Sequence, residues 1–229
     1  MFGFAHFFDP DNGDFIPWRP GDTRVIPPIK NTHFILDGDV STVYRSVHSK
    51  PYNNNCIGFV KGYDCSVKGV GGVSGSDHRG VNFDGDDTYT HDLGGSVNCE
   101  IDIAYCDNVV DNPVMIAGDK IPGKPYPVAS LCKIHVGRVG KMLAGGYNNP
   151  IVARVVHGYD FEISIGSFTG DNIIKPALVG AYNCENVKVR ATYVNGASKL
   201  LYQYETLDSD VKAIEVYNTP IGIERSVLM

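Results

Sequence analysis

One short pattern recurs along this chain and limits what it can fold into: a small or aromatic apolar residue, a polar residue, then Ile or Val. It stands at Tyr63-Asp-Cys65-Ser-Val67, Val97-Asn-Cys99-Glu-Ile101-Asp-Ile103, Leu131-Cys132-Lys-Ile134-His-Val136, Tyr159-Asp-Phe161-Glu-Ile163-Ser-Ile165 and Tyr182-Asn-Cys184-Glu-Asn-Val187-Lys-Val189. Alternation of this kind is the period of a strand with one apolar and one polar face. The anchors Cys65, Cys99, Cys132, Phe161 and Cys184 recur after 34, 33, 29 and 23 residues. Further short apolar runs lie between them, such as Ile173-Ile174 and Ala177-Leu178-Val179. Several short strands per repeat predict a solenoid of stacked β coils, each burying its apolar face against its neighbours. The five anchors are the expected interior ladder, with the thiols acting as compact hydrophobes. A sandwich would instead join neighbouring strands by Asn-Gly hairpins, and only Asn12-Gly13 and Asn195-Gly196 are present.

Composition removes other classes. With 43% hydrophobic and 20% charged residues the chain can build a core, so it is not disordered. Every apolar stretch is broken by Asp, Lys, Gly or Pro, which speaks against membrane insertion. The 26 acidic residues outnumber the 20 basic ones, and no Lys/Arg cluster offers a nucleic-acid surface. The amino terminus lacks the basic and apolar regions of a signal peptide. Six cysteines in a chain of this length therefore read as buried reduced thiols made in a reducing cytoplasm. No Cys-x-x-Cys or His-x-x-x-His pair supports a zinc site, and neither a cofactor nor a bound metal is expected.

Residues 1–31 differ from the rest. Pro17, Pro20, Pro27 and Pro28 disfavour both helix and central strand, so this segment is expected to be an extended anchor or cap leading into a β domain over 32–229. Its aromatics, Phe2, Phe4, Phe7, Phe8 and Trp18, suit either docking onto a partner or folding back over the end of that domain.

The alternating runs quoted above resemble the right-handed parallel β-helix of phage tailspikes and pectate-lyase-like proteins over about residues 32–218. The resemblance implies an all-β chain built as a right-handed parallel β-helix. It further implies a virion protein of the phage tail, made in the host cytoplasm, that attaches to a host-surface polysaccharide and contacts other tail proteins, commonly as a homotrimer. Proteins of that group often cleave the polysaccharide as glycoside hydrolases or lyases. The chain leaves little room for a particle-binding head or a separate trimerisation domain, so a short adaptor-type spike, a split-gene product or a fragment is expected.

Candidate chemistry follows from the alternation. The outward residues form two columns, Ser66, Glu100, Lys133, Glu162 and Lys68, Asp102, His135, Ser164. Glu100 and Asp102, two apart on one strand, have Cα atoms about 6.5–7 Å apart. That lies in the approximate 6.5–9.5 Å range of carboxylate separations for inverting glycosidases. They are the candidate acid/base pair, with His135 one coil on to share a proton and Arg138 to hold an acidic sugar. The competing reading is a charge ladder, each opposite-charge neighbour contributing about 0.2–1 kcal/mol. A second candidate is the loop from Asn82 to Asp92, in which Asp86, Tyr89 and His91 would line a sugar groove. Its carboxylates suit calcium, but the spacing is not that of an EF-hand, and turn composition alone yields such loops.

Overall fold

The computed structural model describes residues 6–17, 27–41, 56–59, 61–76, 79–83, 95–118, 129–143, 150–170, 174–220 and 223–226. Among these the chain is all-β, with no helix. Apart from one hairpin, every strand pairing is parallel. Ile29–Lys30 and Gly62–Tyr63 pair as a small sheet of their own; the other strands form a curled sheet made of two ladders, and the chain alternates between them. One ladder runs through Ile57–Phe59, Arg79–Phe83, Asn112–Ala117, the start of Ile151–Thr169, the start of Ala177–Asn195, Lys199–Tyr204 and Ile223–Ser226. The other runs through His33–Ile35, Ser66–Ser74, Glu100–Asp107, Ala129–Val139, the ends of the same two long strands and Leu207–Tyr217.

Alternation explains the core. Val67, Ile101, Ile134, Ile163 and Val189 stand side by side on successive strands and are buried. Ile103, Val136, Ile165 and Ala191 form a second buried row two residues on. Each fully buried Ile or Val contributes about 1.5–3 kcal/mol, so each strand is held mainly by its neighbours. At one end Phe34, Phe59 and Phe83 continue the core as an aromatic row, with centroid separations of 4.9 and 4.8 Å.

The predicted interior ladder is right over four of its five positions. Glu100 N–H donates to the Cys65 carbonyl and Lys133 N–H to the Cys99 carbonyl, which sets Cys65, Cys99 and Cys132 in line, and Phe161 pairs with Cys132. The fifth position needs correction: Phe161 pairs with Val187, while Cys184 pairs with Gly158, on the neighbouring face. The reason is a double bend. The backbone enters the left-handed region at Asn183 and again at Asn186, as it does at His157 and Asp160 on the preceding strand. Two Asn–apolar steps three residues apart thus compete for the same alignment, and packing selects the second.

Those bends form a ladder of their own. Asn31, Asp64, Asn98, Leu131, Asp160, Asn186 and Asp208 all have positive φ, each immediately before an inward-facing residue or the start of a strand. Asn and Asp tolerate this conformation at low cost. Their side chains also link neighbouring strands: Asn98 Nδ2 donates to Asp64 Oδ1 at 2.7 Å, and Asn186 Nδ2 donates to Asp160 Oδ1. A second corner lies past the inward rows and is crowded by backbone. A Cβ at Gly166 would lie 2.2 Å from the Gly137 carbonyl oxygen, so the neighbouring strands approach closely there.

In the lead-in, His6–Asp9 and Asp14–Pro17 form the one antiparallel hairpin among the described residues, closed at Gly13, whose N–H donates to Asp9 O at 2.8 Å. Phe8 folds back onto the core, its ring 4.8 Å from Phe34 and 6.2 Å from Phe59. Phe2, Phe4 and Trp18 lie outside the described residues.

Candidate functional site: the outward columns

Register places the predicted outward columns as read from the sequence. Glu100 pairs with Ser66 on one side and Lys133 on the other, and Lys133 pairs with Glu162. Asp102 stands between Lys68 and His135, and His135 beside Ser164. The structure therefore brings Glu100, Asp102 and His135 onto one patch of the same face. It also lengthens both columns. Lys188 and Asp210 follow Glu162, and Arg190 and Lys212 follow Ser164. Sequence reasoning missed Lys188 and Arg190 because it aligned Cys184 with Phe161, which shifts everything after it by three residues. An Asn precedes both Cys184 and Val187, so the sequence carried no signal that would have chosen the second alignment.

Charge alternates along the first column, and ion pairs run both along and across the face. Lys68 Nζ lies 2.5 Å from Glu100 Oε2, Lys133 Nζ 3.5 Å from Glu162 Oε2, and Arg190 Nη2 2.8 Å from Asp210 Oδ2. The Lys133 and Glu162 side chains are more than half exposed, at 58% and 57%, so this pair is well solvated and contributes little to stability. Arg138 belongs to a separate cluster further along the strand. Its Nη1 is 3.3 Å from Asp107 Oδ2, and its guanidinium lies 5.3 Å from the centre of the Tyr105 ring.

Two depressions lie side by side on this face. One, of about 370 Å³, is lined by Asn98, Leu131, Lys133, Asp160, Glu162 and Lys188 among others. The second, of about 280 Å³, includes Glu100, Lys133, His135, Glu162, Lys188 and Arg190. Lys133, Glu162 and Lys188 line both, whereas Asp102 lines neither. The walls are strand and bend side chains, giving an elongated charged surface.

The other predicted groove residues, Asp86, Tyr89 and His91, lie outside the described residues, as does most of their loop. Among the described residues no group of His, Cys, Asp or Glu is arranged to hold a metal ion. All six cysteines are buried free thiols. Cys99 sits between Cys65 and Cys132, and its thiol is pushed up chiefly by hydrogen bonding to Cys132 and Cys65, with burial adding to the effect. Burial pushes the Cys184 thiol up to about 12. On the other ladder tyrosines of neighbouring strands pack with their rings tilted: Tyr182 lies 5.5 Å from Tyr202, under the Arg154 guanidinium at 4.6 Å. No family model, curated protein or solved structure matches the chain.

Proposed function

We propose that the chain is a right-handed parallel β-helix of the phage-tailspike kind, a virion tail protein whose outer face recognises a host-surface polysaccharide. Alternate placement of successive strands in two parallel ladders supports the solenoid reading. The observation that carries the recognition reading is the pair of adjoining depressions centred on Lys133, Glu162 and Lys188. An open, elongated surface rimmed by Lys, Glu and Asn side chains suits an extended hydrated polymer better than a compact metabolite, which favours an enclosed pocket. Lys133 and Lys188 would take carboxylate or other acidic substituents, and Glu162, Asn98 and Asn186 would take hydroxyls.

Cleavage is the second reading, favoured by the placement of Asp102 beside His135 on the same face as Glu100. Recognition ranks above it because Glu100 is already engaged by Lys68 and Asp102 lines neither depression. The test is a panel of bacterial capsular and O-antigen polysaccharides, scored for binding and for new reducing ends or unsaturated uronates. Binding without cleavage, lost in Lys133→Glu and Lys188→Glu, is expected. Cleavage abolished by both Glu100→Gln and Asp102→Asn would move the reading to a depolymerase. No binding to any polysaccharide would overturn it.

A further inference from the structure

Asp102, His135 and Ser164 stand side by side on three successive parallel strands, all on the outward face. Register neighbours are one strand spacing apart, about 4.7–4.9 Å, so each side chain is within reach of the next. Among the described residues, none of these three side chains forms a hydrogen bond or an ion pair, with one another or with any other group. The charges around them are engaged. Lys68, the register partner of Asp102, lies against Glu100 instead, Lys133 lies against Glu162, and Arg190 against Asp210. A simple ladder of compensating charges would set Lys68 on Asp102. Its diversion to Glu100 leaves His135 as the basic group beside the Asp102 carboxylate.

His135, Ser164 and Arg190 line the depression of about 280 Å³, whereas Asp102 lies outside it, on the far side of His135. In that order a carboxylate can orient an imidazole from behind, and the imidazole can activate a hydroxyl that faces the cleft. Arg190 is the register partner of Ser164 and completes the row. Its Nη1 donates to Val189 O at 2.9 Å and its Nη2 to Asp210 Oδ2 at 2.8 Å. A guanidinium carries five N–H groups, so donors remain to meet negative charge developing beside Ser164.

We propose that this row is a serine-centred acyl-transfer site that removes ester-linked acyl groups from the polysaccharide bound on the same face. It rests on the polysaccharide reading for its substrate and on the Asp102–His135–Ser164 row for its chemistry. Ser164 Oγ attacks the ester carbonyl carbon while His135 takes the hydroxyl proton, and the carbonyl oxygen becomes an oxyanion facing Arg190. As the oxyanion collapses, the bond from that carbon to the sugar oxygen breaks, and His135 gives its proton to the departing sugar hydroxyl. Water then attacks the acyl-serine with His135 again as base, which frees the carboxylic acid and restores Ser164. Asp102 is a positioning residue that holds the imidazole with its free lone pair toward Ser164. The hydrogen bonds of the row close when the ester is seated, as in sites whose catalytic contacts are long without substrate. No glycosidic bond breaks, so the sugar chain keeps its length.

The test uses the full chain, O-acetylated bacterial polysaccharides and a fluorophosphonate probe that labels activated serine hydroxyls. Acetate release without new reducing ends is expected, together with a fluorophosphonate adduct located at Ser164 by mass spectrometry. Ser164→Ala and His135→Gln should each lower acetate release by about a thousandfold or more, and the double variant no further. Asp102→Asn should lower kcat by about a hundredfold with KM unchanged, a split that a merely structural role would not produce. Polysaccharide binding with no acetate release, or release that survives Ser164→Ala, overturns the proposal and leaves the recognition reading standing. An adduct absent from Ser164 overturns it as well. Hydrolysis of p-nitrophenyl acetate that depends on Ser164, with no polysaccharide bound, supports the serine row and overturns the recognition reading instead. Should a variant fail to fold, the adduct on the wild-type chain decides.

Discussion

Lys68 Nζ sits 2.5 Å from Glu100 Oε2, so the carboxylate that spacing alone marks as a catalytic acid is held by a cation on the preceding strand. The contact is diagonal, from the second outward column to the first, and the two side chains are 46% and 33% exposed. For the proposed recognition surface, Glu100 is thus a border residue, and the centre lies at Lys133, Glu162 and Lys188. Glu100→Gln is expected to lower unfolding free energy by only about 0.2–1 kcal/mol, measured by urea denaturation. It should leave polysaccharide binding largely intact, whereas Lys188→Glu abolishes it.

Leu131 is the exception in the bend ladder. It adopts φ +55° between Asn98 and Asp160 and leaves its side chain 54% exposed. A leucine bears the full steric cost of the left-handed region, about 1–2 kcal/mol, which asparagine largely avoids. Leu131→Asn should therefore stabilise the protein by roughly 1 kcal/mol, read as an increase in denaturation midpoint with unchanged slope. The reverse change, Asn98→Leu, should cost at least as much, since it also removes the bond to Asp64.

The crowded corner makes the opposite prediction. A side chain at Gly166 has no room, because its Cβ would press on the Gly137 carbonyl at 2.2 Å, a backbone atom that cannot swing away. Gly166→Ala should destabilise by about 1–3 kcal/mol, in the range of overpacking changes. Gly13→Ala is a useful contrast, since nothing lies near that Cβ. Its cost comes from φ +73° alone, and the midpoint shift should be smaller.

The buried Cys184 thiol imposes a pH dependence at the alkaline end. The Cys184 thiol, raised from 9.0 to about 12 by burial, stays protonated in the folded chain while the unfolded chain ionises. Between these values the unfolded state binds fewer protons, so stability falls as pH rises. Stability from this group is complete below pH 9.0 and is lost progressively toward about 12. Denaturation midpoints should decline over that window, and Cys184→Ala should flatten the decline. Native protein near neutral pH should react slowly with a thiol reagent at all six cysteines, and quickly once denatured.

Much of this architecture is legible in the residue pattern. Alternation in Cys99-Glu-Ile101-Asp-Ile103 separates an inward from an outward face, because successive side chains of a strand must point opposite ways. Repeats of that alternation are enough to place Glu100 beside Lys133 and Asp102 beside His135. They also set Cys65, Cys99, Cys132 and Phe161 in one interior row.

The pattern does not decide the register where two equivalent signals compete. Asn183-Cys184 and Asn186-Val187 both offer a bend followed by an inward apolar residue, and local chemistry does not rank them. Only packing against the preceding strand does, since Phe161 must meet a side chain of the next strand and Gly158 must lie against Cys184. That choice moves Lys188 and Arg190 onto the charged face and so creates the surface proposed to bind polysaccharide. The setting of Asp102 is likewise a tertiary fact. Alternation puts Lys68 and His135 on either side of it, and only the diagonal contact of Lys68 with Glu100 leaves its carboxylate to the histidine.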